Sequence, residues 1–188
     1  MIARQVRFIS ELQRQIAAGR TAVTFLAIVH ATLPGAFGAI ELPLRVPRQP
    51  WAGVRVDLEK GQPARTEWRR LEAFAGHALL DCVPRPVLRN QVRAHLQAAG
   101  MPLAVDPAYG GGRELMLSSF KSGYRPSRRR AEKPLLARLS LHVARIDFEH
   151  PESGSRLTLS AAPPRDFRAA VQQLAKYGRL PSNGAARR

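Results

Sequence analysis

Ile2, Val6, Ile9, Leu12 and Ile16 recur at helical spacing, with arginines and glutamines between them and Gly19 as a stop. The pattern predicts an amphipathic basic helix over the first twenty residues. Thr21 to His30 is a dense β-branched and aromatic run, which predicts a buried strand. Pro34, Gly35 and Gly38 interrupt it, and Leu42 to Ala52, with three prolines and a tryptophan, reads as an extended surface connection. A short strand is expected at Gly53 to Leu58. Ala64 to Phe74 and His77 to Val83, separated by Gly76, form a hairpin pattern. Asn90 to Ala99 reads as a helix closed by Gly100, and Gly110 to Gly112 as a flexible joint. Two further strands, Leu139 to Glu149 and Arg156 to Ala161, flank a Pro-Glu-Ser-Gly turn, and Pro163-Pro164 introduces a last helix from Asp166 to Tyr177. The whole predicts an α+β domain, with a mixed, mainly antiparallel sheet and flanking helices, over residues 1–178. A disordered basic tail is expected at 179–188.

At 188 residues the chain has room for one ordinary domain. Thirty lysines and arginines against 14 acidic residues give a net charge of +16, which favours a polyanionic partner, most simply nucleic acid, with an anionic membrane surface or an acidic protein as the alternative on charge alone. A single cysteine, Cys82, excludes an internal disulfide framework, and five scattered histidines give no zinc-ligand spacing. No metal or organic cofactor is expected. No apolar run approaches a membrane span and the first helix is too charged for a signal peptide, so a cytoplasmic protein without a membrane partner is expected.

The candidate chemistry lies in Asn90 to Gly112, which reads Asn-Gln-Val-Arg-Ala-His-Leu-Gln-Ala-Ala-Gly-Met-Pro-Leu-Ala-Val-Asp-Pro-Ala-Tyr-Gly-Gly-Gly. It resembles the His-Gln-Ile-Arg-x-His-Leu to Gly-Asp-x-x-Tyr-Gly signature of RNA pseudouridine synthases of the RluA type. Five more pieces stand in that family's order. They are Phe25 to Val29, Lys60 to Thr66, Leu139 to Val143, His150 to Gly154 and Pro164 to Phe167.

The resemblance implies a partial pseudouridine synthase fold and an RNA partner, ribosomal or transfer RNA, whose uridine is isomerised to pseudouridine after leaving the stack. It places Arg93 as the arginine that holds the catalytic aspartate ionised. Phe25 stands as the ring against the base, where the family usually has tyrosine. Arg89, Asn90, Gln91, His95 and Tyr109 are then expected around the RNA. Lys121, Tyr124, Arg128, Arg129 and Arg130, with Arg125 and Lys133 nearby, form a second basic cluster suited to phosphate contacts and stacking.

From the residues alone, other readings stay open. Phe25 fits core packing, Arg93 a surface charge or phosphate contact, and Asp106 and Tyr109 a turn. His95 and His142 fit structural hydrogen bonding, Cys82 an inert core thiol, and the basic cluster a solvated loop.

The family's nucleophile sits in a His-Arg-Leu-Asp-x-x-Thr-Ser-Gly loop, and no such string occurs in these 188 residues. Asp57, Asp81, Asp106, Asp147 and Asp166 all align with other elements. The family's Thr-Gly-Arg-Thr-His has also become Pro86-Val87-Leu88-Arg89-Asn90. The expectation is therefore an N-terminally incomplete, truncated domain, close to inactive alone, with an exposed sheet edge and a complementing polypeptide as partner. A non-catalytic RNA-binding or assembly factor, or an enzyme fragment without function, are the alternatives.

Overall fold

The β-branched run after Gly19 becomes the central strand of the sheet. The computed structural model describes residues 6–30, 35–125 and 131–178. Its elements are α1 (Val6–Ala17), β1 (Ala22–Val29), β2 (Phe37–Glu41), β3 (Leu44–Arg45), β4 (Arg55–Val56), β5 (Arg65–Phe74) and β6 (His77–Arg85), followed by α2 (Gln91–Ala98), β7 (Leu141–Glu149), β8 (Arg156–Ser160) and α3 (Arg165–Tyr177). Six strands form one sheet in the order β2-β5-β6-β1-β7-β8, and every pairing is antiparallel. β3 and β4 make a separate two-stranded ribbon.

Alternation along β1 assigns its two faces. Ala27 and Val29 pack with Ala78, Leu80 and Cys82 of β6 beneath Val92 and Leu96 of α2. Ile28 and Leu79 point the other way, under Phe167, Ala170 and Leu174 of α3. Each fully buried aliphatic or phenyl side chain contributes about 1.5–3 kcal/mol, so these two layers hold both helices on the sheet. Burial pushes the Cys82 thiol up to about 12, which keeps it protonated and unreactive.

The β5–β6 hairpin turns at Ala75-Gly76, where Gly76 takes a positive φ of 70°. Two expectations need correction. Gly38 is not a break but part of β2, and a Cβ there would lie 2.8 Å from the Trp68 ring, so the glycine makes room for the indole. Gly110 to Gly112 is not a flexible joint. Gly111 N–H donates to Asp106 O and Gly112 N–H to Ala104 O, while Asp106 N–H donates back to Gly112 O. The expected tail at 179–188 lies outside the described residues. Among those residues, no helix is long and apolar enough to cross a membrane.

The sheet is not covered evenly. Beyond α3, part of β2, β5, β6 and β7 bounds an open concavity of about 800 Å³ with Phe37, Trp68, Val83 and Ala144 in its lining. Phe37 is 79% exposed there.

Candidate active site

The Asn90–Gly112 segment folds back on itself so that helix and loop meet through one ion pair. Asn90 opens α2 in the left-handed conformation, φ 53°, which asparagine tolerates better than most residues. Its Oδ1 accepts a hydrogen bond from Arg93 Nη1 at 3.0 Å. Arg93 Nε and Nη2 donate to Asp106 Oδ2 and Oδ1 at 2.8 and 2.6 Å, a bidentate clamp. Asp106 is 1% exposed and Arg93 20%. The hydrogen bonds to Asp106 raise the Arg93 pKa above its ordinary value.

Tyr109 lies flat under the guanidinium, 4.5 Å from centroid to Cζ, and its hydroxyl accepts from Val54 N–H at 2.8 Å. Loop, helix and β3–β4 ribbon are thereby locked together. Three of the five guanidinium N–H donors are engaged, which leaves two for a further acceptor.

Arg93 borders a small cavity of about 140 Å³. Phe25, Leu88, Leu139 and Leu141 form its apolar wall, and Asn90 and Arg93 its polar rim. Strand β1 brings Phe25, α2 and the turn before it bring Arg93 and Leu88, and the segment entering β7 brings Leu139 and Leu141. A flat ring against Phe25 and an anionic or carbonyl oxygen against Arg93 suit this lining. Among the described residues there is no cluster of His, Cys, Asp and Glu that could hold a metal.

Three residues expected at the RNA are buried and spend polar atoms on internal hydrogen bonds, although Gln91 also lines the Arg93 cavity. His95, 0% exposed, has Nδ1 2.8 Å from Thr66 Oγ1 and Nε2 2.9 Å from Leu42 O. The carbonyl can only accept, so Nε2 carries the proton and Nδ1 accepts from the threonine hydroxyl. Burial lowers the His95 pKa and keeps the ring neutral. Gln91, also buried, donates through Nε2 to Arg65 O and accepts from Leu88 N–H through Oε1. Tyr109 is buried with its hydroxyl spent on Val54. His142, through Nε2, bonds Ala161 O.

Arg89 also turns inward on the protein. Its Nη1 and Nη2 atoms donate to the carbonyls of Pro47, Gln49, Pro50 and Ala52 at 2.5–3.4 Å.

The second basic group lies elsewhere. Lys121 Nζ sits over the Tyr177 ring at 4.2 Å and the Tyr124 ring at 5.6 Å, near the end of α3. Its neighbour Phe120 packs edge-on against His77 at the start of β6. The Arg93 cavity is reached at Pro84, near the other end of that strand, roughly 25 Å away at ordinary strand rise. Arg128, Arg129 and Arg130 lie outside the described residues. The expected RNA-binding residues therefore do not form one group.

Asp106, the buried partner of Arg93, was not among the site residues expected from the sequence. Asp106 was legible as a turn, but nothing local names Arg93 as its partner.

No family model matches the chain. Ribosomal large subunit pseudouridine synthase D of Neisseria meningitidis serogroup B is 30% identical over 169 residues, covering 89% of this chain and 42% of that protein. The enzyme of the same name from Nitrosomonas europaea is 30% identical over 93% of this chain and 47% of its own length. The chain belongs to the RluA-type RNA pseudouridine synthase family.

The chain spans about half the length of these curated relatives. The solved structure of human RNA pseudouridylate synthase domain containing 4 superposes with a TM-score of 0.65 at 20% identity, over 91% of this chain and 69% of that one, and so shares the fold. The Arg93–Asp106 clamp and the Phe25 wall are thus built on a pseudouridine synthase scaffold.

Proposed function

We propose that this chain forms the arginine-bearing half of an RNA uridine isomerisation site, and that the nucleophilic aspartate comes from polypeptide outside these 188 residues. One observation carries the reading. Arg93 is fixed by a buried carboxylate, yet keeps two N–H donors at the rim of an apolar cavity. An aspartate placed there would be held ionised, and a uracil ring would rest on Phe25 while its glycosidic bond is exchanged.

The RNA is ribosomal or transfer RNA, the setting is the cytoplasm, and no cofactor takes part. The open concavity beside Phe37 supports the complementing polypeptide, since it sets exposed apolar surface at Phe37, Val83 and Ala144 among charged groups at Arg69, Asp81 and Arg145, a mixed lining suited to a protein partner. The alternative of a non-catalytic RNA-binding factor shares everything except turnover.

The test is uridine isomerisation on bulk RNA, with the chain alone and with the His-Arg-Leu-Asp-bearing half of a relative added. The expected result is no turnover alone, RNA binding in both cases, and turnover on addition. Robust turnover by the chain alone would sink the claim of an external nucleophile. Binding that is indifferent to Arg93→Lys, in a variant shown to fold, would remove Arg93 from the site.

A further inference from the structure

The Arg89 clamp holds an indole out into solvent. Trp51 is 85% exposed, the most exposed of the large apolar side chains among the described residues. Isolated exposed leucines are ordinary, but a tryptophan on a fastened loop is not, because its ring gives up more burial than any other side chain.

The loop is well fastened. Arg89 binds carbonyls at Pro47, Gln49, Pro50 and Ala52, on both sides of the ring. Ala52 N–H closes a turn on Gln49 O, and Val54 N–H donates to Tyr109. Arg89 immediately precedes Asn90, whose side chain holds Arg93. One guanidinium therefore ties the tryptophan loop to the first turn of the helix that carries the site arginine. Arg48 and Arg55, three residues before and four residues after Trp51 along the chain, are also exposed.

We infer that the 47–52 loop is a rigid stacking platform, on which Trp51 receives an unpaired base next to the nucleotide that enters the Arg93 cavity, with Arg48 and Arg55 on the adjoining phosphates. An exposed indole with exposed arginines close by along the chain suits single-stranded nucleic acid. Every base has a π-face, and stacking tolerates any sequence while phosphate contacts add attraction. Because the clamp orders the loop before RNA arrives, little conformational entropy is lost on contact. Arg89 acts as a positioning residue and does not itself touch the RNA. The inference rests on the RNA reading above and adds to it a named residue and a contact outside the cavity.

The test is titration of the chain with a short oligouridylate and with a uridine-bearing RNA stem-loop, reading both affinity and tryptophan emission. The chain has two tryptophans, so Trp51→Phe isolates the signal of the partly buried Trp68. RNA should quench the emission of the natural chain, and the quench should vanish in Trp51→Phe while affinity stays within about threefold, since a phenyl ring still stacks. Trp51→Ala should lose about tenfold or more in affinity. Arg89→Ala should lose as much, and the quench with it, although Trp51 is intact.

If RNA binds in an Arg93-dependent manner but neither quenches Trp51 nor responds to Trp51→Ala, the platform is wrong and the cavity reading stands. If Trp51→Ala instead abolishes association with the added half of a relative and leaves RNA affinity unchanged, the ring faces protein and the inference falls. Absence of RNA binding by every form would overturn both readings together.

Discussion

Arg93 and Asp106 form the pair on which the site depends, and the two halves of that pair are not equally replaceable. Removing Arg93 would leave a carboxylate at 1% exposure without its cation, so Arg93→Ala should lower the unfolding free energy by about 3 kcal/mol in urea titration. Arg93→Lys keeps the charge but loses the fork that meets both carboxylate oxygens, and should fall between the two. His95 makes a separate prediction in pH. Its folded pKa lies below the ordinary 6.5, with burial as the first cause. Between those two values the unfolded chain holds more protons, so stability rises with pH. The contribution is complete above 6.5 and is lost as pH falls through the folded value. His77 is shifted the same way, also chiefly by burial. Unfolding free energies from pH 7.5 downward should therefore decline, and His95→Gln should flatten, without abolishing, that decline. At this scale, position in a family motif pointed to Phe25 and Arg93, and the structure brings the two to one cavity. Gln91, His95 and Tyr109 stood in the same motif and their burial was not legible, because adjacency to Arg93 in sequence does not say which side of a helix or turn faces water.

The loop that carries Asp106 shows what the element scale adds. A Cβ on Gly111 would lie 2.1 Å from Leu103 O and 2.7 Å from Asp106 N, both backbone atoms that cannot swing aside. Gly111→Ala should therefore cost about 2 kcal/mol or more in thermal or urea unfolding and should also weaken RNA binding by displacing Asp106. Gly100→Ala is the contrast. It meets no atom within 4 Å but requires φ +71°, so the expected loss is nearer 1 kcal/mol with no effect on RNA. Helices and the long hairpin were legible because their periodicity is strong and their ends are marked by Gly19, Gly76 and Gly100. β2 was not, since Gly38 carries a breaker's identity for a packing reason, the approach of Trp68. The glycines at 110–112 misled in the opposite sense. They are there for close backbone contact, and glycine composition alone does not separate tightness from freedom.

Across the whole molecule, a charge of +16 makes salt the most revealing variable. If about five cations meet phosphates on single-stranded RNA, log affinity against log salt should have a slope of roughly −3.5. A flat response would remove the electrostatic part of the reading. The α+β class and the mainly antiparallel sheet were both legible from the order of patterned segments. The separation of the two basic groups along β6 was not, since linear sequence places Lys121 close behind Tyr109 while the sheet carries them apart. The sheet order has one more consequence, which concerns synthesis. β1 precedes the other five strands of its sheet along the chain, but its two neighbours are β6 and β7, far downstream of it. A nascent chain thus carries its most apolar strand unpaired on one side until β7 leaves the ribosome. The β5–β6 hairpin forms early and shields the other side. A ribosome paused between Arg85 and Leu141 would hold an adhesive half-sheet, so chaperone engagement should peak there and collapse once β7 emerges.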